Sequence, residues 1–233
     1  MTGHEFQLHW VSERHLRITA ERPDAVVLLA AWRELRRERI DHVVDVTLGY
    51  DSVVVACDPT GTDWEAVENA VRVCIGRPAA ATAGRARVVR IAVCYDAAVA
   101  PDLADVARLS GLTVDRVIAE HAGSPFSVRF IGFSPGFAYL DGLSKALRVP
   151  RLEFPRVRVP AGSVAIAADQ AGIYPSATPG GWRIIGRSPV RMFDANRAAP
   201  SVLEPGDRVI IDPIGLDEFE RLARAEGGAS CGA

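Results

Sequence analysis

Five aromatic side chains alternate with glycine and proline in three short segments. These are Phe133-Ser134-Pro135-Gly136-Phe137-Ala138-Tyr139, Gly172-Ile173-Tyr174-Pro175 and Thr178-Pro179-Gly180-Gly181-Trp182. Glycine and proline punctuate chain direction, whereas aromatic rings favour burial, so the combination describes loops that hold a shape. Two roles are open to such a loop. It either plugs the end of a β-barrel or forms the wall of a ligand pocket, lined by Phe133, Pro135, Gly136, Phe137, Tyr139, Tyr174 and Trp182. Pro135 sets one φ angle and Gly136 is expected at positive φ, which predicts a preformed loop.

Polar residues around these segments could supply the chemistry. His121 is either a buried histidine bonded to backbone or a neutral imidazole that moves protons near neutral pH. Arg151 and Arg156 each follow a proline, and a guanidinium fork fits a carboxylate or phosphate. The alternative for both is solvent or an ion pair with Glu153. Arg156→Ala is therefore expected to harm anion binding more than stability. Ser163 lacks an adjacent base and a nucleophile elbow, so it reads as a turn serine. Its neighbours Ala161 and Gly162 offer backbone N–H groups to an anion. Gln170 can hydrogen-bond an amide-like substrate.

Composition excludes several classes. The 233 residues carry a formal charge of -2, so no global field recruits nucleic acid or an anionic membrane. Hydrophobic content of 48% and charged content of 24% are ordinary for a globular protein. Lys145 is the only lysine, and neither a P-loop nor a dinucleotide fingerprint occurs. The dispersed cysteines Cys57, Cys74, Cys94 and Cys231 form no C-x-x-C pair, which argues against zinc and against a disulfide framework. The histidines lack ligand spacing, so no metal is expected. Residues 1–20 contain no apolar leader, and the expectation is a cytoplasmic protein without a membrane span.

The elements that must position these groups fall into two blocks. Strands are expected at 6–11, 15–20, 42–47 and 52–56. Between them, Asp24 caps a helix carrying Leu28, Trp32 and Leu35 on one stripe. Thr62-x-x-Glu65 reads as a capping box for a second helix. This order suggests a small α+β (ferredoxin-like) domain over residues 1–84, with the boundary in the aperiodic stretch Arg77 to Arg85. Residues 85–226 form the second domain. It begins with a strand at 87–94, then a helix opened by Pro101 and ended by Gly111. Another helix is capped by Thr113. Short strands follow at 126–133, 157–159, 163–167, 182–187, 190–193 and 207–212, a pattern of a barrel or sandwich. A last helix spans 217–225, and residues 227–233 read as a flexible tail.

The succession GFSPGFAYL, PR, PR-x-x-VPAGSV, Q-x-GIYP, TPGGW and IGR, between His121 and Asp212, closely resembles the B subunit of bacterial 5-oxoprolinase. That group includes the Kip inhibitor of a sporulation kinase and allophanate hydrolase subunit 1, and the chain is also similar to part of the carboxyltransferase region of urea carboxylase (carboxyltransferase domain, subdomain C and D). The first part of the chain matches only in length and element pattern. The resemblance implies a cyclophilin-like β-barrel. It implies a heteromeric enzyme whose subunits A and C complete the site, opening 5-oxoproline to L-glutamate with ATP shared between subunits. On this reading His121 carries protons, Gln170 orients the lactam, and Arg151 and Arg156 neutralise phosphate or carboxylate. Two alternatives share the same motifs: an allophanate- or urea-type carboxyltransferase or amide hydrolase component, and a kinase inhibitor without turnover. The chain departs from the family at Ala165, Ala167 and Ala168, where glycines are usual, and at Ala171 and Phe126, each lacking a hydroxyl.

Overall fold

The computed structural model describes residues 6–21, 24–76 and 86–228. The chain divides into two compact units, Met1–Arg85 and Ala86–Ala233. Residues 77–85 of the expected boundary, Cys231 and residues 229–233 of the expected tail lie outside the described residues.

The first unit runs β1 (Phe6–Ser12), β2 (His15–Ala20), α1 (Ala25–Arg37), β3 (Val43–Leu48), β4 (Ser52–Cys57) and α2 (Trp64–Gly76). Its strands pair antiparallel in the order β1-β2-β4-β3. Because β4 lies between β2 and β3, the segment β2–α1–β3 is a split β-α-β unit. Alternation along the strands buries Leu16, Ile18, Val46, Leu48, Val53 and Val55. The helices contribute Leu28, Leu35, Val67 and Val71, at the helical spacing expected for one apolar stripe. Asp24 caps α1, accepting from the Val26 N–H at 2.8 Å. At α2 the cap is Asp63 rather than Thr62. The Asp63 carboxylate accepts from the Ala66 N–H at 3.1 Å, while the Thr62 hydroxyl donates to the Asp58 carbonyl. A hydroxyl with a nearer backbone acceptor leaves the helix N–H groups to the next side chain.

The second unit is a mainly β structure. It runs β5 (Val88–Cys94), α3 (Leu103–Ser110), α4 (Val114–Ala122), β6 (Phe126–Ile131), β7 (Ala138–Asp141) and a 3-10 turn at Lys145–Leu147. Then come β8 (Arg156–Val159), β9 (Ser163–Ala167), β10 (Gln170–Ile173), β11 (Thr178–Gly180), β12 (Arg183–Arg187), β13 (Arg208–Ile214) and α5 (Leu216–Gly228). Seven strands close into a barrel in the order β10-β7-β6-β13-β5-β12-β9, and β8 with β11 forms a separate two-stranded ribbon. Within the barrel β5 and β13 run parallel; the other pairs are antiparallel. The expected α+β unit followed by a β-barrel is thus the architecture found. Helix ends fall where the sequence marks them: the Thr113 hydroxyl accepts from Arg116 N–H at α4, and Gly111 closes α3 at φ 68°.

The sequence and the structure differ where strands are shortest. Local pattern gives loops at β7, β10 and β11 and a strand at 190–193. Only an isolated bridge joins Phe193 to Ser201 there. Strands of three or four residues among glycines and prolines carry no local period; barrel closure creates their pairing.

Two apolar clusters share the walls of the barrel. Val164, Ile166, Ala171, Ile173 and Ile185 join the main core with Phe126, Val128, Leu140, Ile91 and Ile211. Their sequence neighbours Ala165, Ala167 and Ile184 point the other way, into a second cluster with Phe137, Val159, Tyr174 and Trp182. Gly172 is on that second face too, against the Phe137 ring. The aromatic motifs therefore cover the outer face of β9, β10 and β12, not the barrel end.

Candidate functional site

The GFSPGFAYL segment is a hairpin connection between β6 and β7, built from two interlocked turns. The Ser134 N–H donates to the Gly132 carbonyl at 2.7 Å, a γ-turn centred on Phe133 at φ 65°. The Phe137 N–H then donates to the Ser134 carbonyl at 3.0 Å. Pro135 occupies the second position of that turn and Gly136, at φ 79°, the third, the arrangement of a type II turn. A Cβ on Gly136 would also lie 2.6 Å from Phe193 Cβ. Phe133 is left 63% exposed on a strained backbone, while Phe137 is buried.

Around this loop the rings make a continuous edge-to-face cluster. Phe137 meets Tyr174 at 5.1 Å, Tyr139 at 4.9 Å and Trp182 at 5.7 Å between centroids. Phe133 meets Phe137 at 5.4 Å and Tyr174 at 6.4 Å. Tyr139 stacks in parallel on Phe130 at 4.3 Å. Tyr174 and Trp182 are buried and Tyr139 partly so. Most of the aromatic set is thus packing, with Phe133, Tyr139 and the exposed Pro135 as the solvent-facing parts.

Arg151 stands at the edge of this cluster. Its guanidinium carbon lies 6.0 Å from the Trp182 ring centre, a cation–π contact. It is exposed, and no carboxylate among the described residues pairs with it. Burial raises the pKa values of Tyr139 and Tyr174, and the positive charge of Arg151 opposes that rise in both. Both phenols therefore stay protonated at neutral pH beside an uncommitted guanidinium. Gln170, two residues before Gly172, falls on the same side of β10 by strand alternation and is partly exposed.

Three expected site residues are committed elsewhere. Arg156 pairs with Asp102, not Glu153, through two hydrogen bonds of 2.9 and 2.6 Å. The Asp102 carboxylate also accepts from the Ile184 N–H at 2.7 Å and is nearly inaccessible. The Arg156 guanidinium clamps the β8–β11 ribbon to the start of α3 and to β12. Gly162, at φ 79°, packs so closely that a Cβ would meet the Ser188 carbonyl oxygen at 2.3 Å. Its N–H donates to the Tyr174 carbonyl at 2.7 Å, so it offers nothing to an anion. Ser163 is buried, and its backbone bonds with Tyr174 and Pro160.

His121 is a core residue. Its Nδ1 lies 2.7 Å from the Tyr95 hydroxyl, and its ring packs on Phe126 at 5.1 Å, both in the main core rather than in the aromatic corner. Burial drives its pKa down to about 3, so it does not titrate near neutral pH. Its Nε2 is buried without a partner among the described residues. Sequence reasoning misses Asp102 and Tyr95. Asp102 stands at a helix start, where capping is the obvious reading, and Tyr95 carries no signal.

The departures from glycine now have places. Ala165 and Ala167 are buried beneath the aromatic corner, so the chain's own rings occupy the space above them. Ala168 adopts φ 52° at the tip of the β9–β10 hairpin, the conformation that favours glycine.

The model of the carboxyltransferase domain, subdomain C and D, matches residues 6–203. A protein of Escherichia coli O157:H7 named as the B subunit of 5-oxoprolinase is 39% identical over 185 residues, covering 78% of this chain and 84% of that protein. This chain belongs to the 5-oxoprolinase B-subunit family. The Bacillus subtilis member is 44% identical over 123 residues, and the aligned part spans 51% of its length. Among solved structures, TTHA0988 superposes with a TM-score of 0.76 at 35% identity, covering 86% of this chain and 40% of that one. The Kluyveromyces lactis urea carboxylase superposes with a TM-score of 0.72 at 14% identity, covering 95% of this chain and 23% of that one, which shows a shared fold. Among the described residues no cluster of metal ligands occurs, and no helix is long and apolar enough to cross a membrane.

Proposed function

We propose that this member of the 5-oxoprolinase B-subunit family acts as the B component of an ATP-dependent 5-oxoprolinase, opening 5-oxo-L-proline to L-glutamate with subunits A and C in the cytoplasm. The observation that carries the reading is the 39% identity with a relative of that name over most of both chains. The geometry is compatible with half a site. Arg151, the Tyr139 hydroxyl and Gln170 could hold one small anionic or amide-bearing group on the outer face of the barrel.

A lactam resists hydrolysis because resonance stabilises its amide. ATP would supply a phosphoryl group that makes the carbonyl carbon electrophilic and gives it a leaving group. The residues here fit a single anionic group rather than a nucleotide, because the Gly162 N–H is already taken and no phosphate-binding loop occurs. The partner subunits would therefore supply most nucleotide contacts. His121 is not the proton carrier in this reading; its burial assigns it to the core.

The β8–β11 ribbon supports a partner. Phe154, just before β8, and Val157, on β8, are 79% and 89% exposed. Such apolar exposure is what an association surface presents. Co-expression with subunits A and C tests both parts of the reading. The complex is expected to show 5-oxoproline-dependent ADP release that this chain alone lacks. Arg151→Gln is expected to lower that activity about tenfold, the loss of one charge-assisted bond, with an unchanged melting temperature. The double variant Phe154→Ser, Val157→Ser should no longer co-elute with the complex. Turnover by the isolated chain would overturn the reading.

A further inference from the structure

The IGR motif leads to a second place on the barrel. A cleft of about 350 Å³ opens beside the turn at Ala161 and Gly162, between the end of β12 and α5. Arg187 stands in it. Its Nε donates to the Ala161 carbonyl at 2.9 Å and its guanidinium carbon lies 5.8 Å from the Phe219 ring centre. These contacts fix the guanidinium plane, yet no carboxylate among the described residues pairs with it. Two other charged residues line the cleft and are paired: Arg191 lies 3.4 Å from Asp194, and Glu226 lies 3.6 Å from Arg197. One positive charge is left over, and it is the pre-oriented one. Apart from Ser188 and the paired Arg191 and Glu226, the rest of the wall is apolar, from Pro175, Val190, Phe219 and Ala223.

We infer that this cleft is a small-carboxylate site, in which the terminal nitrogens of Arg187 grip the carboxylate and the apolar wall takes a body of about amino-acid size. A fixed planar fork suits a carboxylate's two oxygens, and its entropy cost is already met by the Ala161 and Phe219 contacts. A single uncompensated charge suits a monoanion better than a phosphate dianion. The choice of 5-oxo-L-proline as probe rests on the oxoprolinase reading, while the cleft, a second place besides Arg151, is argued from its own contacts.

Calorimetric titration of the full chain with 5-oxo-L-proline, acetate and inorganic phosphate tests it. Saturable binding of 5-oxo-L-proline is expected, tighter than acetate because of the apolar body, with phosphate weakest. Arg187→Gln should weaken it roughly tenfold or more, the fold-change of one lost charge-assisted bond. Ala223→Phe fills the cleft without touching the guanidinium and should weaken it as much, which keeps the test valid if Arg187→Gln does not fold. Arg221→Gln, on the same helix and paired with Glu218 at 2.7 Å, should leave binding unchanged. Equal loss in Arg221→Gln and Arg187→Gln would reduce the effect to bulk charge and overturn the inference. So would phosphate binding tighter than the carboxylates, or no saturation by any carboxylate. Failure of 5-oxoproline turnover in the assembled complex, with carboxylate binding intact, would instead count against the proposed function only.

Discussion

An Arg156→Ala variant is expected to lose about 3 kcal/mol of stability, a fall in melting temperature of roughly 6–12 °C for a unit of this size. This reverses the sequence-level expectation that anion binding would suffer more than stability. The reason is the partner. The Asp102 side chain is 6% exposed and that of Arg156 30% exposed. Removing the guanidinium strands a buried carboxylate with a single remaining hydrogen bond, from the Ile184 N–H. The cost is the desolvation of that charge, not the worth of a surface ion pair. The double variant Arg156→Met, Asp102→Asn removes the stranded charge while keeping an oxygen for the Ile184 N–H, and should recover at least half of the loss. Thermal unfolding of the three proteins decides it. A loss below about 0.5 kcal/mol in Arg156→Ala would mean the pair behaves as an exposed one.

Acid should destabilise the protein through His121. Its ordinary pKa of 6.5 describes the unfolded chain, and burial lowers the folded value to about 3. Below pH 6.5 the unfolded chain takes up a proton that the folded chain refuses. Stability is therefore complete above pH 6.5 and falls by about 1.4 kcal/mol per pH unit between pH 6 and pH 3. By pH 4.5 the loss amounts to about 2–3 kcal/mol. Carboxylates and exposed histidines also titrate in this range, so the informative quantity is a difference. Urea unfolding of the wild type and of His121→Leu, Tyr95→Phe should be followed from pH 7 to pH 4.5. Removing both polar partners leaves no orphan, so the variant should stay close to the wild type at pH 7 and lose less on acidification. Parallel curves for the two proteins would show that His121 does not govern acid stability.

Local chemistry alone sets several elements of the chain. Asp24 and Thr113 start helices because their side-chain oxygens satisfy N–H groups one turn away. Pro135-Gly136 makes its turn because proline presets one dihedral and glycine permits the next. The order of motifs from His121 to Asp212 was enough to name the family, since each segment keeps its neighbours wherever it folds.

What each polar group does depends on long-range contacts. Arg156 and Asp102 are 54 residues apart, and Tyr95 and His121 are 26 apart. Nothing in local spacing relates either pair. Barrel closure brings them together, and burial then sets their roles: it turns Arg156 into a clamp and lowers the pKa of His121. The same closure made strands of Ala138–Asp141 and Gln170–Ile173, and it assigned alternate residues of β9 to two different cores. Arg151 in the PR motif and Arg187 in the IGR motif are left without a carboxylate partner among the described residues because the chain's own carboxylates are placed elsewhere by the fold. Pairing of charges is a long-range property, set by where the backbone returns rather than by which residues stand beside each other.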